Sequence, residues 1–124
     1  MADSPSRPVK PLTFSLNSAA TTNATSVTSA VSMAYSVAAS NSGAAAAFVK
    51  LYDKATAPTV GTDVPLLVVP VGASAVVNLD LGALGITFTN GIALAVTNLV
   101  ADTDTTAVAA GQVKAVVSYR MAGS

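Results

Sequence analysis

Six aspartates are the only acidic side chains in a 124-residue chain that has no histidine, cysteine, tryptophan or glutamate. They are Asp3, Asp53, Asp63, Asp80, Asp102 and Asp104. Nucleophiles, general acids and bases and metal ligands come mostly from His, Cys or paired carboxylates. One close pair exists here, in Asp102-Thr103-Asp104-Thr105-Thr106. Alternating carboxylates with a Thr hydroxyl or a backbone carbonyl can ligate Ca²⁺, but the Gly and distal Glu of an EF-hand loop are missing. Asp side chains capping a solvated turn is the simpler reading. As an acid/base pair the two lack a neighbour that would raise one pKa selectively. Ser and Thr are abundant, yet a hydroxyl nucleophile needs a base. Only Lys50, Lys54 or Lys114 could serve, and no motif marks one of them. Gly82, Gly85 and Gly91 do not open a helix in a phosphate-cradling pattern and read as turn residues. These residues predict no enzyme, no cofactor and no metal site.

Lys50, Tyr52 and Lys54 alternate along the chain. On a strand they share one face, which if exposed offers an aromatic ring between two cations to a protein or a glycan. The plainer reading is a solvated face whose aliphatic stems cover the ring. Arg7 and Lys10 give a mildly basic character to a segment punctuated by Pro5, Pro8 and Pro11. Prolines three apart favour an extended path. Residues 1–11 therefore read as an extended N-terminal arm and residues 12–124 as one domain. Arg7, Lys10, Lys50, Tyr52 and Lys54 are the candidate partner contacts.

Composition narrows the partners. Charged residues make up 10% of the chain and the net charge is zero, against about 25% charged in a typical soluble domain. Nucleic acid demands a basic footprint that is missing here. Interface cores are depleted in charge, so permanent protein contacts suit this surface better than nucleic acid does, and a soluble protein with a Ser/Thr surface suits it equally. No apolar run approaches the roughly 20 residues of a membrane-spanning helix. The Pro-rich start has no apolar core of a secretory signal, so the expected origin is the cytoplasm or a particle assembled there. Aromatic residues are 5% of the chain. The core must be built from Val, Leu, Ile and Ala, each contributing modestly. A lean core of this kind fits either a marginal monomer or a protomer that buries further surface in an assembly.

From Leu12 onward the dominant period is two. Leu12, Phe14 and Leu16 alternate with Thr13, Ser15 and Asn17. Val31, Met33, Tyr35 and Val37 do the same, as do Ala75, Val77, Leu79 and Leu81, and Val113, Ala115, Val117, Tyr119 and Met121. The Thr/Ser-rich 21–30 stretch reads as a loop or a weak edge strand. Asn90-Gly91 between Ile86–Thr89 and Ile92–Thr97 predicts a hairpin with a type I′ turn. Ala44 to Ala55 is open to two readings, a helix capped by Ser42 or a strand; the strand is preferred because every other element is one. Leu66 to Val69 is a continuous apolar run between Pro65 and Pro70, expected to be a strand buried on both faces that starts, ends or lies at an edge there. About eight short strands predict an all-β fold, an antiparallel β-sandwich of jelly-roll type or else a barrel.

The stretches FVKLYDKATAPTVGTDVPLLVVPV, GITFTNGIALAVT and ADTDTTAVAAGQVKAVVSY resemble small virion-associated proteins encoded in tailed-phage structural gene clusters. The resemblance covers roughly residues 48–119. It rests on Leu51-Tyr52 with Lys54, the Pro58–Asp63 loop, Asn90-Gly91 before an apolar strand, and Asp102–Thr106 before the last strand. It implies a β-rich structural protein of the particle and carries over no catalytic motif. The expectation is a head decoration (cement) protein on the outer surface of the capsid. Its partners would be the major capsid protein and copies of itself, as a trimer or dimer. A receptor- or glycan-binding module on a tail fibre or spike, using Asp63, Asp102 and Asp104 beside Tyr52, is the alternative.

Overall fold

A computed structural model describes residues 11–122. Arg7, Lys10 and all of the arm except Pro11 lie outside the described residues. Nine strands form. They are β1 (Leu12–Asn17), β2 (Thr25–Thr28), β3 (Ser32–Asn41), β4 (Ala47–Asp53), β5 (Leu67–Val71), β6 (Ala75–Asp80), β7 (Ile86–Phe88), β8 (Ile92–Thr97) and β9 (Val113–Met121). Among the described residues there is no helix. The ambiguous 44–55 stretch is strand β4, and the Thr/Ser-rich stretch is the short edge strand β2.

Two sheets form, and every pairing is antiparallel. The first has the order β1-β9-β3-β6, with β7 also on β3; the second has the order β2-β8-β4-β5. The pairs β1·β9, β2·β8, β3·β6 and β4·β5 are nested in sequence and alternate between the sheets. That is a long antiparallel ribbon rolled up on itself, the jelly-roll form of the sandwich. The short β7 is an addition to it.

Both sheets contribute to one core. Val37, Ala115 and Val117 of the first meet Val49, Leu51 and Leu94 of the second. Fully burying each Val or Leu contributes about 1.5–3 kcal/mol. In β1 and β6 every second residue turns to this core and its neighbours turn to solvent, as alternation predicts.

Three local expectations change. The β3 alternation does not run through. A register shift between Ala34 and Ser36 is a bulge, and a bulge inserts a residue and reverses the facing of what precedes it. Ala34 is therefore buried on the side of Val37, while Met33 and Tyr35 turn to the outer face, where Arg120 lies 5.6 Å over the Tyr35 ring. The apolar run in β5 is not buried on both faces. Leu66 just before it is 51% exposed and Pro70 is exposed. An edge strand accommodates a proline, which needs no ladder partner there.

The third change concerns Asn90-Gly91. β7 and β8 belong to different sheets, so no hairpin joins them. Asn90 has no positive φ, although a type I′ turn requires one. The chain crosses between layers instead, held by the Asp53 carboxylate. That group accepts from Thr89 Oγ1 at 2.9 Å and from the Asn90 N–H at 2.8 Å. Gly91 has φ 140° and lies against backbone; a Cβ there would stand 2.5 Å from the Thr28 carbonyl oxygen and 3.0 Å from Ala55 Cα. Gly91→Ala should therefore cost on the order of 2 kcal/mol. Thermal unfolding checks this: a melting temperature equal to wild type would show that the crossing does not depend on the close approach.

Candidate interaction surfaces

Strand β4 places Lys50 and Tyr52 on the outer face of the second sheet, opposite Val49 and Leu51 in the core. The sharing of a face is as expected. The exposure is not: Lys50 is 0% and Tyr52 1% exposed. Two loops fold back over them, 54–66 and 98–112. The loops touch each other, since a Cβ on Gly61 would fall 2.6 Å from Thr105 Cγ2 and 3.3 Å from the Thr103 carbonyl oxygen. Beneath them Tyr52, Ala93, Ala95 and Val60 make a second small core. Alternation shows which side chains share a face; it does not show that a distant loop will cover that face. The two residues are thus internal supports in this fold and not an offered surface.

Each group in this layer has a physical role. Lys50 Nζ donates to the Ala101 carbonyl at 2.7 Å and pins loop 98–112. Burial lowers its pKa from 10.5, and the carboxylates of Asp104 and Asp102 pull partly the other way. Burial raises the Tyr52 phenol above 10.0, with Asp102 and Asp63 acting in the same direction. The Tyr52 hydroxyl is buried with no hydrogen-bond partner. Lys54 is partly exposed and pairs with Asp63 at 2.6 Å, while Asp63 Oδ2 also accepts from the Thr59 N–H at 2.7 Å. These bonds, the Lys54 side chain first, hold Asp63 below the ordinary carboxylate value.

Asp102 and Asp104 do not act alike. Asp104 Oδ2 accepts from the Leu99 N–H at 3.2 Å, the Thr106 N–H at 3.3 Å and Thr106 Oγ1 at 2.5 Å. It caps its own loop, which is the turn reading of the sequence. Burial tends to raise the Asp104 pKa, but these bonds and the Lys50 charge outweigh it and hold the group low. Asp53 behaves likewise: burial raises it, and the bonds from Asn90, Thr89 and Gly91 more than offset that. Among the described residues no three acidic side chains gather to hold a metal ion.

The open surface lies on the other side of the molecule. The outer face of the first sheet carries a groove of about 420 Å³. Ala38, Ser40, Val76, Asn78, Lys114 and Val116 line it, from β3, β6 and β9. Val76 is 80% and Val116 36% exposed. Sequence reasoning missed this face, though a signal existed. Val76 and Val116 stand at positions that alternation assigns to solvent, and their cross-strand neighbours Ala38 and Ser40 are small.

No family model, curated protein sequence or solved structure matches the chain. The fold and these surfaces define a two-layer β module with one sheet face closed by its own loops and the opposite face open.

Two measurements follow from the closed layer. Removing an unpartnered buried hydroxyl removes a desolvation penalty of about 1–3 kcal/mol. Tyr52→Phe should then melt at or above the wild-type temperature, while Tyr52→Ala, which leaves a cavity, should lose about 3–5 kcal/mol. A clearly destabilised Tyr52→Phe would mean that the hydroxyl has a partner. The pH dependence has a definite sign. Above pH 10.0 the unfolded tyrosine ionises while the folded one keeps its proton, so stability falls as pH rises through that window. Tyr52→Phe should remove that alkaline loss. On the acid side Asp53, Asp63 and Asp104 sit below 3.8. Their contribution is full above that value and is lost as pH falls through their folded pKa values.

Proposed function

We propose that the protein is a structural component of a tailed-phage virion, a head decoration protein that binds the assembled capsid and stabilises it. The observation that carries the reading is the open face of the first sheet, a shallow groove low in charge and lined by Val76, Val116, Ala38 and Ser40 with Lys114 at its side. Interface cores have this character. Jelly rolls recur in viral capsid domains as well as in lectins and cupins, and the architecture is compatible with this role. The sequence resemblance points to the virion. The mechanism is passive. A module that binds only the assembled lattice stabilises it by mass action, and many symmetry-related copies add avidity. The major capsid protein is the proposed partner, and the outer surface of the particle the proposed place. The tail-fibre reading used the loop carboxylates Asp63, Asp102 and Asp104 beside Tyr52; Asp63 and Asp104 are engaged in bonds within their own loops and the tyrosine is buried, which favours the capsid reading.

Quantifying the protein against the major capsid protein in purified particles tests the proposal. A fixed, high ratio retained in tailless heads supports it; a few copies lost with the tails would overturn it. The face itself is tested by Val116→Asp. Head binding should weaken at least about tenfold, equivalent to about 1.4 kcal/mol, with the melting temperature unchanged.

A further inference from the structure

We propose that the free edge of β6 pairs with the β6 of a second copy of this chain, antiparallel and across a two-fold axis at Asn78. The backbone shows which groups are available. Leu81 donates its N–H to the Tyr35 carbonyl, in register with the β3·β6 ladder. Antiparallel hydrogen bonding alternates residue by residue. Ala75, Val77 and Leu79 therefore bond to β3, and Val76, Asn78 and Asp80 direct their N–H and C=O groups away from the sheet. Among the described residues no strand lies beyond β6 in the first sheet.

The other edges are less suited. β5 carries Pro70 in the strand, β2 has four residues and a register shift, and β1 turns only Thr13, Ser15 and Asn17 to solvent. Such features blunt an edge or leave it without apolar reward. Val64 and Leu66 are exposed just before β5, but Pro70 blunts that edge; the β6 edge carries exposed apolar groups and no proline. Val76 is 80% exposed, and Leu84, in the turn that follows β6, is 88% exposed. Val77 and Leu79 are only half-buried at the rim of the core.

A two-fold at Asn78 satisfies all of these at once. Asn78 exchanges both backbone bonds with the partner's Asn78, and Val76 exchanges both with the partner's Asp80. On the inner side Val77 meets the partner's Leu79, so the two cores become continuous. On the outer side the row Lys114–Ser40–Val76 ends beside the partner's Asp80. The two Asp80 carboxylates lie at opposite ends of the junction, so no like charges face each other. The low-charge face of the first sheet is doubled in width. A C2 contact of this type is self-complementary and closed, and does not propagate into fibres.

Light scattering and sedimentation equilibrium on the full chain test the proposal. The expected mass is twice the 12.2 kDa chain. Asn78→Pro removes an N–H that β3 does not use, and Val76→Asp faces the partner's Asp80 with a like charge. Each should shift the protein to the monomer mass. Adding Asp80→Lys to Val76→Asp should restore the dimer, which a merely unfolding substitution would not allow. The chain has no cysteine, so oxidation of Asn78→Cys should give a covalent dimer, and of Ser15→Cys on the β1 edge none. A wild-type chain that stays monomeric, a trimer, or a dimer indifferent to both β6 substitutions would overturn the proposal.

Discussion

The structure depends on burying β4 and β8 on both faces. All six residues of β8 are buried, and so are Val49, Lys50, Leu51 and Tyr52 of β4. The inner face is covered by the first sheet. The outer face has no third layer, so the chain must supply one from its loops. That requirement accounts for the two long connections, 54–66 and 98–112, and for their contents. Val60 packs on Tyr52, Ala93 and Ala95, Pro58 is buried, and Val108 returns to the main core. Loops carry backbone polar groups that need partners. Asp63 supplies one at Thr59, Asp104 supplies them at Leu99 and Thr106, and Asn98 Nδ2 bonds the Ala107 carbonyl at 2.5 Å. The aspartates that first suggested chemistry are used mainly in this way.

How far the sequence reveals the fold follows from this asymmetry. Where a strand has one wet face, as in β1, β6 and β9, alternation is clear and the predicted core residues Leu16, Val77, Val113 and Val117 face inward. Where a strand is covered on both sides, alternation loses its meaning. Ile92 to Thr97 alternates Ile, Leu and Val with Ala and Thr, and all six are buried. The small residues lie under the loops, where space is limited. Lys50 and Tyr52 share one face in the alternation, but their burial is not legible, because loop 54–66 carries no pattern that shows it folding back and loop 98–112 follows only after β8. The bulge in β3 and the layer crossing at Asn90-Gly91 were misread for a related reason. Their geometry is decided by Ala34, Asp53 and Thr28, partners from other strands or across a register shift.

The closed and open faces divide the work between the sheets. Sheet edges and faces left unpaired are a liability in a protein that is meant to stay alone. Here three of the four edges show a blunting device or a polar surface, and one face of the sandwich is sealed. The remaining edge and the remaining face adjoin each other along β6 and share Val76. With six positive and six negative charges in 124 residues, little electrostatic repulsion opposes contact there. Val76 and Val116 add apolar surface within one sheet face, whereas Val64, Leu66, Leu99 and Val100 are exposed on the loops; a contiguous apolar patch marks an interaction site. An open groove of this kind suits another protein better than a small molecule, which would seek a deep enclosed pocket.

Lys50 shows what holds the closed side in one arrangement. A leucine or methionine would fill the same space under the loops without the cost of burying an amine. The lysine stem already supplies that apolar cover. What the amine adds is direction, because its bond to the Ala101 carbonyl specifies the point at which loop 98–112 passes over β4. The lowered pKa shows that burial exceeds the help given by Asp102 and Asp104, so the charge is held at a net cost. A hydrophobic contact alone would let a loop rich in Ala and Thr slide along an Ala-lined sheet. The buried amine trades some stability for a single path of the loop. That path keeps the second sheet sealed and leaves the first sheet as the surface through which this small module can meet its partners.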